Sequence, residues 1–135
     1  MSFIYETFVY DIEYVEDEET EEVTPVERYA VRITGYKGSE NNIIIPEEID
    51  GLPVIEIADR AFYRKTLTSA VFPDTIESIG NESFSRTFIE YIVVYGYDTN
   101  AMHDSFDEED LYVIYGYSGS DIESYAERIQ VEFRN

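Results

Sequence analysis

The side chains of this sequence that could do chemistry are a large set of carboxylates and a single histidine. His103 sits in Met102-His103-Asp104-Ser105, so its acidic and hydroxyl neighbours follow it directly in the chain. A nucleophile, base and orienting acid must converge in space, which consecutive residues do badly, and His103 reads as an exposed loop residue. Asp104, Asp107, Glu108, Glu109 and Asp110 offer oxygens that a hard cation would accept. Calcium loops, however, set their ligands at alternate positions around a turn glycine, and that spacing is missing here. A solvated acidic loop is the expectation. The sequence holds no phosphate-cradling glycine motif, dinucleotide fingerprint or nucleophile elbow. It also holds no cysteine, which removes disulfides and thiolate metal sites. Carboxylate pairs are too plentiful for one to stand out as acid and base. The expectation is a protein that is not an enzyme, with no cofactor and no metal.

Thirty acidic residues against nine Lys and Arg give a net charge of −21 over 135 residues. Binding a phosphate backbone depends on cationic side chains that release counterions, so direct nucleic-acid binding is not expected. Two readings of the charge stand side by side. It makes a soluble, self-repelling surface, or it steers the protein to a basic partner, imitating nucleic acid. In the second case the contacts are Glu16, Asp17, Glu18, Glu19, Glu21 and Glu22, together with Asp104, Asp107, Glu108, Glu109 and Asp110. A small acidic inhibitor of a basic nucleic-acid-binding enzyme, of phage origin, would have this form. With 44% hydrophobic residues, 13 Tyr and 8 Phe, the chain is folded and β-rich rather than a disordered acidic tail. Its length suits one domain.

The elements that must position these side chains are announced by a repeat. Ala61-Phe62 with Leu67, Ser83-Phe84 with Ile89, and Ser105-Phe106 with Leu111 follow one another at 22-residue steps. A fixed period of about 20–50 residues marks stacked repeats. Ile43-Ile44-Ile45-Pro46, Ala70-Val71-Phe72-Pro73, Ile92-Val93-Val94-Tyr95 and Ile114-Tyr115-Gly116-Tyr117 take equivalent places, the first step lengthened to 27 by an insertion around Gly51-Leu52-Pro53-Val54. In the third copy, Asp98 to Asp104 replaces the regular middle of the unit. Phe8–Val15 and Arg28–Thr34 alternate as strands of a hairpin around a charged loop, Glu16–Glu22. Such a hairpin would cap the first repeat. Ser120-Asp121-Ile122-Glu123 is a capping box that should start a short helix running to about Ile129.

Pro, then I-x-x-I-G, then A/S-F, then Leu or Ile five positions on, resembles the BspA-like leucine-rich repeats, also called the Treponema pallidum type. Ile33-Thr34-Gly35-Tyr36 ahead of Ile45-Pro46 looks like the opening unit of such arrays, and Tyr115-Gly116-Tyr117-Ser118-Gly119-Ser120 with Val131-Glu132-Phe133 like their close. The resemblance spans about residues 28–135. It implies a bacterial binding or adhesion protein, secreted or attached to the cell surface.

The fold expected is therefore mainly β with short helical segments: one domain over 1–135, with a hairpin cap at 1–41, about three ~22-residue repeats at 42–111, and a helix-strand cap at 112–135. Alternation sends Leu67, Ala70, Phe72, Ile89, Ile92, Val94, Leu111 and Ile114 inward, with Phe62, Phe84 and Phe106 stacked on the opposite wall. Ile44, Val71, Val93 and Tyr115 then form one outer column. Asn42, Ser69, Tyr91 and Val113 run on one side of it, and Pro46, Pro73, Tyr95 and Tyr117 on the other. Large apolar patches mark binding surfaces, and tyrosine offers wide contact area with a polar tip. Strand propensity alone would also put such residues there, and self-association through the face or the open sheet edges, as a homodimer, is a third reading. The function expected is binding of a protein partner, basic in the second reading of the charge, through this face. No apolar run reaches the ~18–20 residues of a membrane span. Met1–Glu6 lacks the form of a signal peptide. As it stands the chain would be cytoplasmic, or secreted or surface-bound if it is the mature part of a longer precursor.

Overall fold

Alternating β-formers carry the N-terminal third into two strands longer than the sequence suggested, β1 (Phe3–Glu16) and β2 (Val23–Tyr36). The structure, a computed structural model, describes residues 2–135. β1 and β2 pair antiparallel from Phe3 opposite Tyr36 to Glu16 opposite Val23, with irregular register after Ile4 and after Val9. The charged block between them closes as a tight turn. The Asp17 carboxylate accepts the Glu19 and Thr20 amides at 2.8 and 3.1 Å. Those amide bonds hold the Asp17 carboxyl below its ordinary range.

β3 (Asn42–Ile44) leads to a small hairpin of β4 (Glu48–Ile49) and β5 (Leu52–Ile57). Asp50 and Gly51 turn it at φ of 54° and 78°, the left-handed pair that Asp-Gly supplies at least cost. The segment read as an insertion is thus a hairpin whose second strand joins the solenoid. β6 (Ser69–Phe72), β7 (Ser78–Ile79), β8 (Tyr91–Val94), β9 (Asn100–Ala101) and β10 (Val113–Tyr115) follow. The helix α1 (Asp121–Ile129) and β11 (Glu132–Arg134) complete the chain.

Two sheets result. One runs β11-β10-β8-β6-β3, all parallel, and the other β1-β2-β5-β7-β9, parallel from β2 onward with β4 on the side of β5. Each coil of the central stack lays one strand in each sheet, which is the mainly β solenoid expected from the repeat. The first sheet has five rungs, four at the equivalent positions of Ile43, Ala70, Ile92 and Ile114 and a fifth, β11, from the C-terminal cap.

The core is where the alternation placed it. Leu67, Ala70, Phe72, Ile89, Ile92, Val94, Leu111 and Ile114 are all buried. Phe62, Phe84 and Phe106 stack with centroids 4.8 and 4.9 Å apart and planes within 11° and 13°, the spacing of adjacent β-strands. The ladder is closed at both ends: Phe3 and Tyr36 of the hairpin rest on Phe62 at 6.3 and 5.7 Å, and Tyr125 of α1 lies 6.3 Å from Phe106. Backbone bonds run between coils beside the rings, Phe62 N–H to Ser83 and Phe84 N–H to Ser105, each 2.8 Å. Gly80 is required by this closeness, since a Cβ there would fall 2.6 Å from the Asp59 amide nitrogen.

The third coil keeps this geometry despite its altered sequence. β9 pairs with β7, and the buried Ser105 hydroxyl donates to the Ile79 and Gly80 carbonyls at 3.0 and 2.8 Å. At α1, Ser120 Oγ accepts the Glu123 amide at 3.3 Å, while the Glu123 carboxylate accepts from Gly119, one residue earlier than a regular capping box.

Candidate functional site

Parallel register builds the outer face of the β3-β6-β8-β10 sheet. Ile44 stands opposite Val71, Val71 opposite Val93, and Val93 opposite Tyr115. Ile44 is 72% exposed, while Val71, Val93 and Tyr115 are half-buried by one another and by their flanks. Asn42, Ser69, Tyr91 and Val113 form the neighbouring column. Tyr91 meets Tyr115 edge to face at 6.2 Å, an arrangement that suits the quadrupoles of the two rings.

Beyond the strand ends, Pro46, Tyr95 and Tyr117 continue the face. With Ile44, Val71 and Pro73 they line a depression of about 490 Å³ whose other walls include Glu47 and Asp74. Two residues placed on this face by alternation are not free. Ser69 is buried because its short side chain donates to Asn42 Oδ1 at 2.7 Å, and Pro73 is buried too. The register also adds what the sequence reading missed. β11 puts Glu132 next to Val113 and Arg134 next to Tyr115, so an ion pair of 3.1 Å ends the apolar strip. Glu132 and then Tyr115 hold the Arg134 guanidinium in its charged form. One more rung of β-forming residues, Val131-Glu132-Phe133, was the available signal.

The two acidic stretches belong to different elements of the stack. Glu16 to Glu22 close the hairpin that precedes the first coil, and Asp104 to Asp110 lie in the last coil before β10. Asp107 is committed to the fold: its carboxylate accepts the Arg86 amide at 2.7 Å, as Asp59 accepts that of Asn81 one coil earlier at 2.7 Å.

His103 borders an open depression of about 800 Å³ together with Glu82, Asp104, Asp107, Glu108 and Glu109. Its side chain is 76% exposed, and its nearest carboxylate, Glu108, is 3.9 Å away. Ser105 is turned into the core and spent on two carbonyls, so it is not placed to serve the imidazole as a nucleophile. Tyr125 approaches from below, its hydroxyl donating to the His103 carbonyl at 3.3 Å, and burial pushes its phenol well above the ordinary tyrosine range. Among the described residues no three His, Asp or Glu side chains are placed to share a metal ion, and no helix is long and apolar enough to cross a membrane.

No protein-family model matches the chain, and no curated protein matches it significantly. Among solved structures it is similar to a leucine rich cell surface protein from Faecalibacterium prausnitzii A2-165, with 20% identity, a TM-score of 0.48, and 84% of this chain and 38% of that one covered. A Treponema pallidum leucine rich repeat protein gives 22% identity and a TM-score of 0.42, over 78% of this chain and 50% of that one. A leucine-rich repeat protein from Bacteroides capillosus ATCC 29799 gives 18% identity and 0.46, over 78% and 77%. The chain spans well under two thirds of the first two. At such identities and scores the likeness says nothing of activity or partners, and the fold stands on the strand register described above.

Proposed function

We propose that this chain is a non-enzymatic protein-interaction module of the leucine-rich-repeat kind, which takes a protein partner on the β3-β6-β8-β10 face. One observation carries the reading. Across four rungs, the columns that hold Ile44, Val71, Val93 and Tyr115, with Tyr91, Val113, Tyr95 and Tyr117 beside them, contain no charged residue, in a chain whose net charge is −21. Keeping carboxylates off one surface while spreading 30 acidic residues through the rest of the chain costs solubility unless the surface is covered in use. Rigid tyrosines over a flat, hydrogen-bonded sheet lose little entropy when a partner arrives.

The test is the pair Val93→Ser and Tyr115→Ser. Both side chains project from the sheet and neither fills the core, so thermal unfolding should move little. Partners captured on the immobilised chain from a bacterial lysate should be lost from the double variant. An unchanged set of captured proteins would overturn the assignment of this face.

A further inference from the structure

The hairpin does more than cover the first coil. β2 pairs with β5 only from Val31 to Ile33, whereas β1 and β2 stay paired for seven further rungs, from Val9 opposite Tyr29 to Glu16 opposite Val23. At about 3.4 Å per residue this is an arm some 20–25 Å long, and a two-stranded ribbon of that kind is marginal in water by itself. Its base is clamped: Arg32 pairs with Glu6 and Glu56 at 2.6 Å each and lies 4.1 Å over the Phe8 ring.

Cross-strand register sorts the arm into two faces. Asp11, Glu13, Val15, Thr24, Val26 and Arg28 share one, where Arg28 pairs with Glu13. Val9, Ile12, Tyr14, Val23, Pro25 and Tyr29 share the other, with Glu27 opposite Ile12 and Glu16 opposite Val23. Its large apolar side chains are between 39% and 68% exposed, and by alternation along β2 this face continues the core face of Val31 and Ile33 out of the body. From residue 9 to 29 there are nine carboxylates and one cation, Arg28.

The charge and the area decide what covers the apolar face. Half-exposed Val, Ile and Tyr side chains would give roughly 400–500 Å², against the ~800 Å² each partner contributes to a standard interface. A second copy would supply only that area and would bring together two chains of charge −21. A groove can enclose both faces of the ribbon, and cations on its rim match the carboxylates that surround the apolar stripe. We propose that the arm of residues 9–29 is a second docking element, separate from the β3-β6-β8-β10 face, which seats Val9, Ile12, Tyr14, Val23 and Tyr29 in an apolar groove rimmed by lysine and arginine on a basic partner protein.

The experiment titrates the labelled full chain with a short peptide of alternating leucine and lysine at physiological ionic strength and follows backbone amide shifts. A peptide alternating serine and lysine has the charge without the apolar face, and needs no variant of the protein. The leucine-lysine peptide should shift amides of residues 9–29, and the serine-lysine peptide should bind roughly tenfold more weakly or worse. Ile12→Thr with Tyr14→Thr, which keep β-forming residues, should cost a similar factor while the amide spectrum of the coils stays in place. Equal affinity of the two peptides, shifts confined to β8 and β10, or no binding would each overturn the proposal. So would a concentration-dependent dimer in sedimentation that the Ile12→Thr, Tyr14→Thr variant abolishes, since the occupant would then be a second copy. Because the sheet-face variants leave the arm intact, failure of one surface is distinguishable from failure of the other.

Discussion

Ser83 and Ser105 occupy equivalent places one coil apart, and both are fully buried. The Ser105 hydroxyl has two carbonyl acceptors, whereas that of Ser83 has no partner. A satisfied buried hydroxyl contributes about 1 kcal/mol, and an unsatisfied one costs a comparable amount. Ser105→Ala should therefore lower stability by about 1 kcal/mol, while Ser83→Ala should leave it unchanged or raise it, as Ala61 in the preceding coil suggests. Urea midpoints of the two variants decide this, and a loss at Ser83 as large as at Ser105 would contradict it. Tyr125 sets a pH limit. Its folded-state phenol titrates above the ordinary value because of burial, so the stabilisation it gives is complete below about pH 10 and is lost as pH rises beyond it. Denaturant midpoints at about pH 8 and about pH 11 should fall more steeply in the native chain than in Tyr125→Phe, which has nothing to ionise there.

Among the elements, the aromatic ladder and the arm are opposites. Phe84 is stacked on both sides, by Phe62 and Phe106, and touches Phe72 edge to face at 5.6 Å. Phe84→Ala opens a cavity in the middle of the stack where neither neighbouring coil can collapse, and should cost about 3–5 kcal/mol by thermal or urea unfolding. A cost near that of a surface substitution would show that the ladder is not what holds the coils together. The arm has no such backing. Its amides between Asp11 and Glu27 should exchange with deuterium orders of magnitude faster than those of Ile92 and Val93, because local opening needs few apolar contacts to break. Equal protection would mean that the ribbon is stable alone.

For the whole molecule, the net charge of −21 acts on every coil at once. Compaction brings like charges together, and ions screen them over about 10 Å at 0.1 M. Ion pairs are few, and each of the Arg-Glu pairs Arg28 with Glu13, Arg60 with Glu82 and Arg134 with Glu132 is substantially exposed, so salt has little attraction to weaken. Raising ionic strength from about 0.01 to 0.15 M should therefore raise the melting temperature. A lower melting temperature would mean that attractive pairs outweigh the repulsion.

The period of 22 residues, the inward Leu and Ile positions, the Phe spine and the capped helix were legible in the sequence. Each is dictated by local periodicity or by one residue's chemistry, and the tertiary structure only repeats it. Residues whose state depends on a neighbour one coil away were not legible. Ser69 and Pro73 are buried by what stands beside them. Asp107 is held by an amide of the previous coil, and the Asp98–Asp104 stretch keeps its strand because β7 offers carbonyls to it. The same holds for the free arm. Its alternation is that of any half-buried hairpin, and only the point where β5 stops pairing with β2 decides that its apolar face ends in solvent instead of in the core.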